Sequence, residues 1–154
     1  MKSRSVVLMV LWCLLAFAVS WAQDPNMGTW KLNESKSKIP AGAPKNTTVV
    51  YSADGDNVKV TTDGTVGNGT PQHTEWTGKF DGKDYPLTGD PNADARSYKK
   101  IDAHTLALEN KKGGKVVVSG KVMISPDGKS RTVNLAITTP AGKKISSSAV
   151  YDKQ

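Results

Sequence analysis

Two arginines are the side chains of this chain best suited to bind a charged ligand. Arg96 and Arg131 are the only arginines after the apolar N-terminal run, and a guanidinium group presents its N–H donors in a planar fork that fits an anionic group. Arg131 lies on the same face of its predicted strand as Val133, Leu135 and Ile137, and Arg96 lies on the same face as Tyr98. If those faces point inward, either guanidinium could bind the anionic head of a ligand. The alternative, which is more frequent for an arginine near a strand end, is that the head extends to solvent.

Aromatic side chains form the second group of candidates. Tyr51, Trp76 and Tyr151 each lie on the apolar face of the segment that contains them. These rings could line a ligand cavity, or they could fill a solid interior, because a narrow barrel is closed by its own side chains. The apolar residues are mostly Val, Ile and Leu, and small side chains in a wide barrel leave space inside. The composition weakly favours a pocket and leaves both alternatives open.

No pattern typical of catalysis or metal binding is present. His73 and His104 are far apart in the sequence and lack the ligand spacing of a metal site. We expect His73 on the exposed face of its strand and His104 in a turn. The serines at 146–148 are not part of a Gly-x-Ser-x-Gly motif, and the one cysteine, Cys13, lies in the apolar N-terminal run. We therefore predict a protein that is not an enzyme and that has no metal and no cofactor.

The charge pattern argues against nucleic-acid binding. Two of the 21 lysines and arginines precede residue 23, which leaves 19 basic residues against 14 acidic residues in the rest of the chain. Nucleic-acid binding would favour arginines and clustered positive charge, whereas these lysines are scattered along the sequence. We expect no nucleic-acid partner. Weak contact with anionic components of a cell envelope is compatible with such a surface.

The N-terminal residues have the three parts of a secretory signal peptide. Lys2 and Arg4 provide a positive start, residues 6–19 form an uncharged apolar run, and small residues precede a cleavage site at Ala22. A membrane anchor is the alternative, but it would need roughly 20 apolar residues. We predict cleavage near Ala22 and export to the periplasm or the extracellular space. The mature chain, residues 23–154, is expected to form one domain with no cysteine and no transmembrane segment.

The mature chain is a series of short strands separated by tight turns. Asn-Gly and Asp-Gly pairs, which tolerate the positive φ of hairpin turns, recur at short intervals. The segments between them are rich in Val, Thr, Ile and Tyr. Their side chains alternate in polarity, and one such run places Val116, Val118, Val122 and Ile124 on a single face. This period of two indicates strands with one buried face.

The number and connection of these strands indicate the architecture. About eight to ten strands joined mainly by hairpins must avoid leaving unpaired edges. Closure into an antiparallel up-and-down meander β-barrel is the simplest solution. A β-sandwich, the alternative, normally needs longer connections than these turns provide. We therefore predict an all-β barrel, with one irregular connection at residues 34–46.

Two end segments resemble the calycin superfamily, which includes the lipocalins and the intracellular fatty-acid-binding proteins. Residues 28–32, Gly-Thr-Trp-Lys-Leu, are similar to the Gly-x-Trp opening of the first strand in those families. Residues 150–153, Val-Tyr-Asp-Lys, are similar to the closing strand of fatty-acid-binding proteins. The resemblance implies a barrel in which Trp30 plugs one end. The arginine that those proteins place two positions before the closing tyrosine is Ala149 here, and residues 34–46 are too short for their two-helix lid.

A second resemblance carries no function. The chain is similar to a group of uncharacterised bacterial secreted proteins that share Gly-Thr-Trp-Lys-Leu-Asn, at residues 28–33 here, and Lys-Phe-Asp-Gly-Lys-Asp-Tyr-Pro, at residues 79–86 here. In this chain both segments lie in the part predicted to form strands and turns.

These observations lead to two functional hypotheses. The first is a secreted or periplasmic lipocalin-like barrel that binds a small hydrophobic or amphipathic molecule in its interior. The alternative is a non-enzymatic envelope interaction module with a packed barrel core, which uses its lysine-rich surface. The residues predicted to bind the ligand are Tyr51, Trp76, Tyr98, Arg96, Arg131, Leu135 and Tyr151.

Overall fold

The computed structural model describes residues 23–154 and shows a closed barrel of ten antiparallel β-strands. Around the barrel the order is β1-β10-β9-β8-β7-β6-β5-β4-β3-β2, so strands that are adjacent in sequence pair with one another and β1 also pairs with β10. This is the predicted up-and-down meander, and it excludes the sandwich. The signal peptide predicted at residues 1–22 lies outside the described residues.

Ten strands and one helical turn make up the described chain. The strands are β1 (Gly28–Leu32), β2 (Lys45–Asp54), β3 (Asn57–Thr65), β4 (Pro71–Gly78), β5 (Tyr85–Thr88), β6 (Ala95–Asp102), β7 (Thr105–Lys112), β8 (Lys115–Ile124), β9 (Ser130–Thr138) and β10 (Lys144–Lys153). Within residues 23–154 the single helical element is a 3-10 turn at Glu34–Lys36. None of the described helical residues form a helix long and apolar enough to cross a membrane.

Strand β4 illustrates how the sequence produces this architecture. Thr74 and Trp76 are buried, whereas His73 and Glu75 are exposed, as expected for side chains that point alternately to the two faces of a strand. The predicted turn residues lie between the strands. Gly55, for example, has a φ of 59° in the turn between β2 and β3, a conformation that costs glycine little and other residues more.

The alternation expected in β8 is interrupted by a β-bulge. Asn110 of β7 pairs with Val118, but Lys111 pairs with Val116, so Val117 is an extra residue on β8. An extra residue shifts the side chains beyond it to the other face. Val116 is therefore 40% exposed, and Val117 instead packs against the core. The prediction that Val116 shares the buried face was wrong for this reason.

One end of the barrel is closed by Trp30 and by the segment that precedes β1. Trp30 is fully buried, and its indole Nε1 donates a hydrogen bond to the carbonyl oxygen of Asn26 at 2.9 Å. Ahead of Asn26, the carboxylate of Asp24 forms an ion pair at 3.0 Å with Lys100 of β6, on another part of the wall. The N-terminal segment thus crosses this end, and Trp30 lies where the plug was expected.

Candidate ligand-binding cavity

The barrel encloses a cavity that opens at the end opposite Trp30. Its volume is about 110 Å³, and its mouth lies between the loops that contain Gly42, Gly67, Asn92 and Pro140. An enclosed space of this order holds one ring-sized group, and the open mouth lets a longer ligand extend beyond it. A cavity of this size counts against the fully packed core that the alternative hypothesis required.

One wall of the cavity is an apolar stripe on β9. Val133, Leu135 and Ile137 follow one another on the inward face of the strand and all line the cavity, because every second side chain of a strand points to the same side. Val49 on β2 and Leu108 on β7 line the cavity as well. The apolar lining from three strands makes burial of a hydrophobic group favourable.

Arg131 lies at the deep end of this stripe, below Val133. It is the second residue of β9 and pairs with Tyr151 of β10 and Ile124 of β8. Its side chain lines the cavity, and the residue is only 2% exposed. The expectation that this guanidinium extends to solvent was wrong. Its position on the strand points it into the barrel, and Trp30 covers the closed end beyond it.

Three aromatic rings surround the Arg131 guanidinium. Its central carbon lies 5.0 Å from the ring centre of Trp30, 5.0 Å from that of Tyr51 and 4.8 Å from that of Tyr151. A cation over an aromatic face is attracted by the electron-rich ring. Two nitrogens of the guanidinium, Nε and Nη1, are both buried and have no hydrogen-bond partner among residues 23–154.

Arg96 also lies inside the barrel, but its Nε and Nη1 donors are paired. It is 8% exposed, so the solvent-exposed interpretation was wrong here too. Its Nε donates to the side-chain oxygen of Asn110 at 2.8 Å, and its Nη1 lies 3.4 Å from the hydroxyl of Tyr98. Asn110 faces Arg96 across the β6–β7 pair and is itself buried. This arginine is held in place by the protein.

Two tyrosines, Tyr51 and Tyr98, connect the two arginines. The hydroxyl of Tyr51 donates to that of Tyr98 at 3.3 Å, and the ring of Tyr51 is one of those that contact Arg131. Burial raises the pKa of Tyr98 well above its ordinary value, and burial likewise raises the pKa of Tyr151 to about 12. Both phenols are therefore neutral near pH 7 and can donate or accept a hydrogen bond.

Trp76 lies apart from the cavity lining. It is 1% exposed and packs against Phe80, Tyr85 and Tyr98 at ring-centre distances of 6.4, 5.7 and 4.9 Å. Its Nε1 donates to the backbone oxygen of Arg96 at 2.9 Å. This hydrogen bond joins β4 to β6 across the short strand β5, which pairs through only two residues on each side. The structure thus places Trp76 in the packed core beside the cavity and outside its lining.

The other six residues predicted to bind a ligand line one cavity. They are Tyr51, Arg96, Tyr98, Arg131, Leu135 and Tyr151. Their role as ligand contacts stays a prediction. The sequence interpretation did not identify Gln72, Thr74 or Asn110, which also line the cavity. Thr74 shares its face of β4 with Trp76, and that parity was the available signal; no local pattern marked Asn110.

Two further polar atoms in the lining are unpaired within the described range. Thr74 Oγ1 and Gln72 Oε1 are buried and have no hydrogen-bond partner among residues 23–154. A buried polar group without a partner costs free energy, so these atoms are suited to bind water or a polar group of a ligand. They lie on β4, at the start of the strand and therefore towards the mouth.

Apart from Asp90 at the mouth, no acidic side chain of residues 23–154 lines the cavity. The ion pairs found within residues 23–154 are between exposed or half-exposed side chains, and none includes Arg96 or Arg131. Asp90 lines the mouth, where its carboxylate accepts a hydrogen bond at 2.8 Å from the backbone of Asn92. The described chain contains no group of three or more His, Cys, Asp or Glu residues placed to hold a metal ion.

Comparisons with known proteins show the fold and no family. No family model and no curated protein matches the chain. Among solved structures, a barrel described as EF1p2_mFAP2b bound to DFHBI is 8% identical, with 84% of this chain and 94% of that chain covered and a TM-score of 0.51. A redesigned β-barrel, b11L5F_LGL, is 13% identical over 84% of this chain and 92% of that one, with a TM-score of 0.46.

These matches bear on the two resemblances drawn from the sequence. The closed ten-stranded barrel and its likeness to the first of these structures support the calycin-like layout at the level of the fold. The resemblance of residues 28–33 and 79–86 to bacterial secreted proteins finds no support in them.

Proposed function

We propose that this protein binds one small hydrophobic or amphipathic molecule inside its barrel and has no catalytic activity. The observation that carries the proposal is the cavity of about 110 Å³, closed at one end by Trp30 and open at the other, with apolar walls and a few inward polar groups. Small-molecule sites typically combine an apolar concave surface with a small number of placed polar groups.

The lining residues would have different roles in binding the ligand. Val133, Leu135 and Ile137 would exclude water from an apolar group and provide most of the affinity, since burial is worth about 25 cal/mol per Å² of apolar surface. Arg131, Tyr51 and their neighbours would orient the polar end. The solved barrel described as bound to DFHBI has the same general fold, which supports the binding of a small molecule by this chain.

We also propose that the protein is exported from the cytoplasm. The signal-like residues 1–22 favour action outside the cytoplasm, where a carrier would meet sparingly soluble molecules. Cleavage after Ala22 would be checked by intact mass of the protein recovered from the periplasm or the medium of a bacterial expression host.

The interior site is tested by titration with N-phenylnaphthylamine, a neutral dye whose emission rises in apolar surroundings. We expect saturable one-to-one binding to the mature chain. Leu135→Trp, which fills the cavity, should abolish it, whereas Asn134→Trp should not, because Asn134 is the adjacent residue on the exposed face of β9. Equal binding by both variants would place the dye on the outer surface and refute the proposal.

A further inference from the structure

We propose that the ligand is an anionic amphiphile whose carboxylate or sulfonate group binds Arg131 at the closed end of the barrel, with its apolar part extending towards the mouth. The inference rests on the proposed interior site and specifies the chemistry of its ligand. It starts from one observation: a guanidinium that is 2% exposed has two buried nitrogens, Nε and Nη1, without an acceptor among residues 23–154.

The surroundings of Arg131 stabilise a cation while leaving its donors free. The three rings at 4.8–5.0 Å attract the positive charge, but an aromatic face is a poor acceptor for the in-plane N–H groups. Burying a charge away from water is unfavourable unless it is paired and hydrogen-bonded. An oxyanion supplies both requirements at once, because its oxygens match the fork of the guanidinium.

No acidic side chain of the described chain fills this role. The ion pairs of residues 23–154 all use other cations, and the one carboxylate in the lining, that of Asp90, lies at the mouth and is engaged by its own turn. The part of the interior formed by residues 23–154 therefore holds two arginines and no acidic partner for them, so its electrostatic potential favours an anion over a neutral molecule of the same shape.

Arg131 and Arg96 have different parts in this site. Nε and Nη1 of Arg96 are directed to Asn110 and Tyr98, so Arg96 contributes positive potential and fixes the Tyr98 hydroxyl. Arg131 has N–H groups available and lies in contact with Tyr51 and Tyr151. We therefore assign the direct contact with the anion to Arg131.

The position of Arg131 also sets the orientation and length of the ligand. Arg131 and Ile137 lie on the same face of β9 with Val133 and Leu135 between them, and six residues of strand span about 20 Å. With the usual tilt of barrel strands this is about 15 Å along the barrel axis. An anionic head at Arg131 would thus place a single medium-length chain, or an aryl group, along the apolar stripe.

A matched pair of dyes tests the charge preference directly. Anilinonaphthalene sulfonate and N-phenylnaphthylamine share one ring system and differ in the sulfonate. We expect the wild-type mature chain to bind the anionic dye about 10- to 100-fold more tightly, the range given by a hydrogen bond to a charged group. Decanoate should displace either dye at a concentration lower by a similar factor than decanol.

Substitution of Arg131 locates the preference. Arg131→Met should reduce it to less than about 3-fold and leave the affinity for the neutral dye nearly unchanged. Arg131→Lys, which keeps the charge but loses the fork, should retain part of it. Far-ultraviolet circular dichroism checks that both variants fold. The comparison of the two dyes on the wild-type protein tests the charge preference without any variant.

The outcomes separate this inference from the proposed function. Equal affinity of the wild type for both dyes and for decanoate and decanol would overturn the anionic ligand and leave an interior site for neutral molecules. A charge preference that persists in Arg131→Met would overturn the assignment to Arg131. Absence of binding for every probe would overturn the proposed function and this inference with it.

Discussion

Replacement of Arg131 by methionine should leave the ligand-free protein as stable as the wild type or make it more stable. Two buried N–H groups of Arg131 have no partner among residues 23–154, and each such group costs about 1–3 kcal/mol. The three ring contacts offset this cost by about 0.5–2 kcal/mol each. Methionine removes the unpaired donors and keeps part of the ring contacts through its polarizable sulfur. We expect a change in the free energy of unfolding between 0 and about +3 kcal/mol.

Arg96→Met is the matched control for this prediction. Arg96 is also a buried arginine without a carboxylate partner, so the cost of burying the charge is similar for the two residues. Its donors, however, are paired with Asn110 and Tyr98, and methionine at this position would leave the buried Asn110 oxygen unpaired. We expect this variant to lose about 1–3 kcal/mol of stability.

Urea denaturation of the ligand-free proteins measures both changes, with equal m values as the check on the two-state comparison. The sign of the difference is what the reasoning predicts: Arg131→Met should be more stable than Arg96→Met by about 1–6 kcal/mol. If Arg131→Met were instead the less stable of the two, the ring contacts would outweigh the unpaired donors. Arg131 would then be a structural cation of the core.

Three further predictions concern the frame of the barrel. Trp30→Ala should cost about 3–5 kcal/mol in urea denaturation, because it empties the closed end, whereas Trp30→Phe should cost less. The hydrogen bond from the exposed His73 to Asp63 raises the pKa of His73 above 6.5, so its stabilising effect is present below pH 6.5 and is lost as the pH rises through the raised pKa; an NMR titration should show this, and Asp63→Asn should lower the pKa. Gly89→Ala should destabilise the barrel by more than about 2 kcal/mol, since Gly89 has a φ of 82° and a Cβ there would press on the backbone oxygen of His73.

Each of these three has a result that contradicts it. A loss below about 1 kcal/mol for Trp30→Ala would mean that the closed end repacks around the gap. A His73 pKa that is unaffected by Asp63→Asn would mean that the hydrogen bond does not hold the proton. Gly55→Ala is the control for Gly89→Ala, because Gly55 has a φ of 59° but open space around its Cβ position; equal losses would leave only the backbone conformation as the cause.

Local chemistry in the sequence was sufficient to predict the architecture. Alternating polarity and Asp-Gly or Asn-Gly turns are short-range signals, because each depends only on residues a few positions apart in the sequence. They indicated strands, hairpins and a closed meander, and the structure confirmed all three. The position of Trp30 near the start of β1 followed from the resemblance to calycin barrels, and the structure shows it buried at one end.

The state of the interior depended on contacts between residues far apart in the chain. Whether Arg131 extends to solvent or into the barrel depends on the N-terminal segment and Trp30, which close the end of the barrel next to it. Val116 left the core because a bulge opposite Asn110 shifted the register of β8. Trp76 lies in the packed core outside the cavity lining, where its indole Nε1 donates to the backbone oxygen of Arg96 on β6.

The sequence by itself therefore determined the strands and their closure, since these arise from residue types and spacings within each hairpin. Only the tertiary structure decided that the interior is hollow and that Arg131 is buried there with free donors. The physical reason is that a cavity and an unpaired charge are properties of what surrounds a side chain. In a barrel those surroundings come from strands on opposite sides of the chain's path, and no local pattern records them.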